Sequence, residues 1–354
     1  MKTLSRLMLV GLACAVGATA YAWNGYDFES GFGTSMAAHG PWAYGVKNSL
    51  LSTTLFLFTV PDSVTAGSAT VNYWWFNDAT YSRIYKNVSA VDANFGEGTI
   101  APAGSIFLHP DVNRETCVRF SHLDPITYGF VYRWTRITPS NGSVVASVVE
   151  NGTLRDSSVV SVGYSPGPWK YWTATFAAGL AMDFSVNQNG PPTHDSTRLE
   201  CFAYEKSTTN LMLTLDAPEF VGDWTTIPVT VEFWWNKYPL PPITVYPNSA
   251  GVVFIPVPLR GTVQTFIKPS HWLRRQVVVF LTDSGLDIGQ FAFINGDCDE
   301  DNEVGIGDYS ILSGAYGTNV GDAGFVTNAD LNGDDAVDIA DYAILSSNYG
   351  LAGD

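Results

Sequence analysis

The sequence has few basic residues: 18 Lys and Arg stand against 34 Asp and Glu in 354 residues. They form no cluster of useful size, which excludes the electropositive patch that a nucleic-acid partner requires. Histidine is as sparse, and His39, His109, His122, His194 and His271 show no metal-ligand spacing with one another. Beyond the first twenty or so residues no stretch reaches the ~18 uninterrupted apolar residues of a membrane helix. Helical periodicity is also nearly absent before residue 295, so the bulk of the chain is not an α fold.

The N-terminus carries the one long apolar run. Lys2 and Arg6 precede Leu7 to about Ala18, and Ala20-Tyr21-Ala22 places small residues where a signal peptidase reads them. Residues 1–22 are therefore expected to be a signal peptide cleaved after Ala22, giving a secreted, extracellular protein. Cys14 lies inside that segment, in a poor context for lipid attachment. Three cysteines remain, Cys117, Cys201 and Cys298. An oxidising compartment allows a disulfide, and the expected pair is Cys117 with Cys201, both in strand-like segments of one domain.

The net charge of -16 is concentrated at one end: residues 295–354 hold thirteen Asp and Glu and no Lys or Arg. Upstream, short runs of alternating apolar and polar residues are separated by Gly, Pro, Asn and Asp turns, the pattern of sheets with one wet face. The predicted fold class is mainly β. Residues 23–219 are read as a β-sandwich or jelly roll, with its last strand at Leu211–Leu215. Residues 220–294 are read as a small immunoglobulin-like or transthyretin-like sandwich, with Tyr238-Pro239-Leu240-Pro241-Pro242 as a connecting loop. Residues 295–354 form a small helical module.

That module is an internal repeat with an offset of 33 residues: Asp308-Tyr-Ser-Ile-Leu-Ser-Gly-Ala-Tyr-Gly317 returns as Asp341-Tyr-Ala-Ile-Leu-Ser-Ser-Asn-Tyr-Gly350. A twelve-residue acidic loop precedes each copy. In the first loop Asp297, Asp299 and Asp301 take positions 1, 3 and 5, Glu303 offers its carbonyl at 7 and Asp308 closes at 12. In the second, Asp330, Asn332 and Asp334 take 1, 3 and 5, Ala336 offers its carbonyl, Asp338 stands at 9 and Asp341 closes. Alternate oxygens on a tightly wound loop supply the six to eight ligands that calcium takes, so two calcium ions are expected. Position 6, which favours a positive φ, holds Asn302 and Asp335, the types best able to follow glycine there. Val304 and Val337 at position 8 are expected to pair the loops through a short β contact. Tyr309, Ile311, Leu312 and Tyr316, and their counterparts Tyr342, Ile344, Leu345 and Tyr349, mark one short helix after each loop, with Gly317 and Gly350 at the C-terminal cap.

A loop followed by one helix, duplicated, resembles the dockerin type I repeat rather than a full EF-hand pair. The resemblance covers residues 295–354 and rests on the ligand spacing. It implies calcium binding and, as partner, a cohesin-like or cell-surface module. The family's polar pair before the closing Asp is here Ile306-Gly307 and Ile339-Ala340, and the helices carry no Lys or Arg; that departure bears on the partner and not on the ligands. Upstream, Ser270-His271-Trp272-Leu273-Arg274-Arg275 ahead of Asn295-Gly296-Asp297 looks like the small β domains that precede dockerin-like tails in secreted proteins of environmental bacteria.

No catalytic residue is assigned. Gly163-Tyr164-Ser165-Pro166-Gly167 fits the G-x-S-x-G spelling, but Pro166 lacks the N–H that the oxyanion hole needs and the surroundings are β. Aromatic residues are frequent in the first domain, among them Trp42, Tyr44, Trp74, Trp75, Trp134, Trp169 and Trp172. Adjacent Trp74 and Trp75 must point to opposite faces of their strand. The leading reading is a secreted, non-catalytic calcium-binding protein with a dockerin-like assembly module, linked to extracellular polysaccharide. A polysaccharide-active hydrolase with its site in the first sandwich, and a structural surface or adhesion protein, stand as alternatives.

Overall fold

The computed structural model describes residues 25–354 other than 34–37, 77–81, 111–113, 124, 140–142, 162, 177–179, 190–194 and 208. The expected signal peptide lies outside the described residues. Strands dominate and the two α-helices fall at the C-terminal end, as the sequence pattern predicts. No helix among the described residues is long and apolar enough to cross a membrane.

Among the described residues, two mixed-length sheets build the first sandwich. One has eight strands, running in the order Lys170–Thr175, Thr127–Arg136, Thr197–Glu205, Ile106–His109, Arg83–Asn87, Ala69–Trp75 and Val60–Ala66, with Gly25–Asp27 attached to Thr197–Glu205. The other has seven, centred on Ser143–Glu150, Ala181–Asn189, Glu115–Ser121 and Trp42–Lys47. Side chains alternate along a strand, so every second residue faces the other sheet. Tyr128, Phe130, Tyr132 and Trp134 from one sheet meet Trp42, Tyr44, Phe120 and Phe184 from the other in a single aromatic core. Trp74 joins that core, whereas Trp75 lies on the opposite face beside Tyr73.

The same alternation overturns the expected disulfide. Cys201 faces the inter-sheet core together with Leu199 and Ala203. Cys117 sits one residue out of phase with Val118 and Phe120, which face that core, so its thiol points to the outer face of the other sheet. Both thiols are free and fully buried, and burial pushes both upward in pKa.

Thr209–Asp216, the segment that contains Leu211–Leu215, is no part of the first sandwich. It is the middle strand of a three-stranded sheet between Val252–Val257 and Leu286–Ala292, the latter parallel to it. That sheet packs on a five-stranded one built from Val229–Trp235, Gly261–Pro269 and Arg275–Leu281 with two short strands. The Pro-rich stretch is also more than a loop: Tyr238–Pro239 pairs with Trp234 and Trp235, and Tyr238 is buried. The two sandwiches share a core instead of meeting through a linker. Val131, Phe202 and Tyr204, on the outer face of the eight-stranded sheet, join the cluster of the small sandwich. Phe202 stacks on Trp235 with ring centroids 4.2 Å apart, and the Tyr238 hydroxyl donates to Asp27 Oδ1 at 2.7 Å.

The C-terminal module is seated on the small sandwich by the segment after Gly261–Pro269. Leu273 leaves the small sandwich to join the module's core beside Val304, Leu312, Val337 and Leu345. Trp272, fully buried, stacks with His271 at 3.8 Å and packs against Phe220 and Trp224. His271 Nδ1 lies 2.8 Å from Asn295 Oδ1, and the Asn295 amide donates to the Leu331 carbonyl at 2.7 Å. With the amide nitrogen donating, Oδ1 accepts, so Nδ1 carries the proton of a neutral imidazole.

Burial lowers the His271 pKa from 6.5 to about 4. A folded pKa below the unfolded one means that the unfolded chain takes up the proton first as pH falls. Stability is thus full above pH 6.5 and declines toward pH 4, by about 3 kcal/mol over the window. Urea unfolding in excess calcium should show this decline, and His271→Gln should flatten it between those pH values. An equal slope in the variant would refute the assignment.

Candidate metal centre

The two acidic loops run from Asp297 to Asp308 and from Asp330 to Asp341, each leading into a helix: α1, Ile306–Ala315, and α2, Ile339–Asn348. The turns close because short carboxylate and amide side chains accept backbone N–H groups of their own loop. In the second loop Asp330 accepts from Gly333, Asp334 and Asp335, at 2.9, 3.2 and 2.9 Å. Asn332 and Asp334 accept from the N–H two residues on, at 2.9 and 3.1 Å. Asp341 returns to accept from Leu331, Asn332 and Asp338 at 2.7, 3.2 and 2.8 Å. The first loop repeats the scheme: Asp308 accepts from Asp299 and Gly305 at 3.1 and 2.6 Å, and Asp301 from Glu303 at 2.9 Å. Position 6 takes the left-handed conformation in both, with φ of 72° at Asn302 and 70° at Asp335. Gly317 and Gly350, just past the helices, also have positive φ, 81° and 84°.

Asp297, Asp299 and Asp308 converge, each offering a carboxylate oxygen within 4.8 Å of the others. The second loop has Asn332 where the first has Asp299, so its position 3 presents an amide oxygen in place of a carboxylate. Asp338, at position 9, caps α2 by accepting from the Ala340 N–H at 2.7 Å, while Gly305 occupies the same place in the first loop. Glu303 and Ala336, the two carbonyl positions, form bridges with Ala352 and Asn319. Desolvation raises the pKa of Asp297, Asp330 and Asp341 from its ordinary value. Asp297 is 0% exposed and its Oδ1 has no hydrogen-bond partner. An orphaned, buried carboxylate oxygen that converges with two further carboxylates fits a hard divalent cation.

Two contacts were not legible in the sequence. The first is Lys268, which projects from the small sandwich and donates to Asp297 Oδ2 at 2.6 Å and to the carbonyls of Ser270 and Trp272. It leaves Oδ1 available and places a fixed positive charge behind the first loop only. The second concerns Val304 and Val337, which do not pair with each other. Val304 bonds to Gly350 and Leu351, and Val337 to Gly317 and Thr318, all four bonds being 2.8 to 2.9 Å. Each loop is therefore completed by the segment that follows the other loop's helix. The small sandwich touches the second loop too, where the Val221 N–H donates to the Asn332 carbonyl at 2.8 Å.

The helices bury less of their apolar surface than the repeat suggests. Leu312 and Leu345 face the core, but Tyr309, Tyr316, Tyr342 and Tyr349 are exposed. Ile306 and Ile339, one turn before the tyrosines, are 68% and 64% exposed. The rings of Tyr309 and Tyr342 meet edge to face at 6.2 Å, so the exposed aromatic residues of the two helices touch there.

No family model matches the chain. No curated protein matches it either. Among solved structures, it is similar to a chain of an interface mutant of a type II cohesin–X–dockerin complex from Acetivibrio cellulolyticus, at 22% identity and a TM-score of 0.34, over 41% of this chain and 97% of that one. It is similar also to the M60 catalytic domain with the CBM51-1 and CBM51-2 domains of Clostridium perfringens ZmpB, at 12% identity and a TM-score of 0.24, over 65% of this chain and 28% of that one. The adhesin domain of Epf from Streptococcus pyogenes matches at 10% identity and a TM-score of 0.22, over 71% of this chain and 94% of that one. Scores this low describe a distant likeness and assign no role to any residue.

Proposed function

We propose that residues 295–354 bind two calcium ions and, so loaded, dock onto a cohesin-like module, making the chain a secreted, non-catalytic component of an extracellular assembly that acts on or adheres to polysaccharide. The observation that carries this reading is the convergence of Asp297, Asp299 and Asp308 around the unpartnered Oδ1 of a fully buried Asp297. Asp301 and the Glu303 carbonyl complete the first ligand set; Asp330, Asn332, Asp334, the Ala336 carbonyl, Asp338 and Asp341 form the second. The docking surface is the exposed pair of Ile306 and Ile339 with Tyr309 and Tyr342, an apolar patch of the kind that marks a protein contact.

Binding of the intact protein to immobilised type I and type II cohesin modules, with calcium and with EGTA, tests the reading. Calcium-dependent capture by one of the two is expected, and an Ile306→Asp/Ile339→Asp double variant should weaken it by at least about tenfold, since each central apolar anchor is commonly worth over 1 kcal/mol. Failure of both cohesins to bind in calcium would remove the cohesin as partner.

A further inference from the structure

The outer face of the eight-stranded sheet is covered by the small sandwich on one side only. On the other side, the strands Ala69–Trp75, Arg83–Asn87 and Ile106–His109 turn Trp74, Ile84 and Leu108 inward to the core. The alternate residues therefore face out. Tyr73 pairs with Tyr85, and Tyr85 with Phe107, in the register of the sheet. Their rings form a row, with centroids 5.2 and 4.8 Å apart. The adjoining row holds Trp75, Arg83 and His109, with the Arg83 guanidinium 5.0 Å from the Trp75 ring.

A short hairpin overhangs this row. Its tip brings Phe95 edge-on to Phe107 at 5.7 Å and to Tyr85 at 6.2 Å. The backbone there passes through three successive left-handed residues, Gly96, Glu97 and Gly98, with φ of 85°, 48° and 78°. Left-handed glutamate is strained, and the surrounding structure must hold it. Between the overhang and the sheet lies a cleft of about 200 Å³ lined by Tyr85, Phe95, Glu97, Phe107, His109 and Ser196. Its polar wall is fixed from behind: His109 Nδ1 lies 3.1 Å from Ser196 Oγ and 3.2 Å from Oδ1 of the buried Asp195.

One wall is therefore aromatic, and the other offers an imidazole, a hydroxyl and a carboxylate. A ligand that satisfies both has an apolar C–H face and a rim of hydroxyl groups, which describes a sugar ring. The cleft is smaller than the ~300–1,000 Å³ of ordinary drug-sized sites, so one ring enters it. Phe107, 2% exposed, is the floor of the cleft, and the half-buried Tyr85 and Tyr73 lead away from it across two strands and give the rest of a chain a surface to lie on. We propose that this cleft binds one residue of a neutral oligosaccharide. The site stands apart from the calcium module and does not depend on its docking.

The test is calorimetric titration of the full-length protein with cellohexaose, xylohexaose, mannohexaose and laminarihexaose. At least one should bind with a dissociation constant below about a millimolar. Phe95→Ala and Glu97→Gln, both at exposed positions of the hairpin, should each weaken that binding roughly tenfold, and Glu97→Gln, which removes no ring contact, should do so with the melting curve unchanged. Phe280→Ala, an exposed ring on the small sandwich, should leave it intact. Absence of binding by all four sugars at millimolar concentration, or binding indifferent to both hairpin variants, would overturn the assignment. Neither outcome bears on cohesin capture, which is read separately in calcium and EGTA.

Discussion

Chelation of calcium from the intact protein is expected to abolish the cooperative unfolding of residues 295–354 and to lower the melting transition of the small sandwich with it. Four carboxylates, Asp297, Asp308, Asp330 and Asp341, are buried in the folded module. Without a cation their negative charge is held together by backbone N–H donors alone, apart from the one contact of Asp297 with Lys268. A cation at a hundredfold excess over its dissociation constant contributes about 2.7 kcal/mol per site. Two sites therefore account for most of the stability of a module of this size, whose own core is one small cluster. The effect spreads because the contact is continuous, running from His271 through Asn295 to the Leu331 carbonyl and from Val221 to Asn332. Differential scanning calorimetry with and without EGTA reads this directly, and an Asp330→Ala/Asp341→Ala double variant should mimic half of the loss. Superimposable thermograms in calcium and EGTA would refute the metal reading. Lys268 faces the first loop only, so Lys268→Met should raise the calcium affinity of that loop and leave the second unchanged in the same titrations.

Asp183→Ala is expected to be the most damaging single change in the first sandwich. Asp183 lies on the outer face of the seven-stranded sheet, where it accepts from Lys47 Nζ at 2.9 Å and from Arg119 Nε and Nη2 at 2.6 and 2.8 Å. Lys47 is 0% exposed. It also donates to the Leu50 carbonyl, while Arg119 reaches the Thr53 carbonyl, so the two cations pin the segment 50–53 over the sheet. Removing the carboxylate takes from the buried ammonium the counter-charge it is bonded to and leaves only Glu115, its neighbour across the strands, a change that costs about 3–5 kcal/mol. For a domain near 200 residues this lowers the melting temperature by roughly 10 °C. The triple variant Lys47→Met/Arg119→Leu/Asp183→Leu should recover most of the loss, because a buried ionic network exchanged as a whole for apolar groups is commonly neutral. A single variant that melts within a degree or two of the parent would show that Lys47 reaches solvent.

The two acidic loops were legible because their geometry is local. Ligand spacing, the Asn and Asp at position 6 and the glycine after each helix are all set within a dozen residues. The period-two cores were legible for the same reason. What could not be read were relations between segments far apart in the chain. Cys117 and Cys201 both lie in strands of one sandwich, yet their thiols point to different sides of the inter-sheet core, a parity fixed by which neighbours the core selects. The strand Thr209–Asp216 alternates as well as any strand of the first sandwich, and only its partners Val252–Val257 and Leu286–Ala292 assign it to the second. Lys268 and Asp297 meet because the small sandwich carries one to the other. Tyr309 and Tyr342 have the spacing of a buried stripe and lie in the open, because the module is too thin to cover both faces of its helices.

The reciprocal pairing of Val304 with Leu351 and of Val337 with Thr318 bears on how such a module arises. A lone 33-residue unit carries its own ligands and its own helix but not the strand that completes its loop. Two separate units would have to exchange those segments as a two-fold dimer, each finishing the other. Tandem fusion makes that exchange intramolecular, replacing a concentration-dependent encounter with a tethered one. The exposed turn around Gly321–Gly324 is then only the tether, and a chain nicked there should hold together as two complementary halves as long as calcium is present.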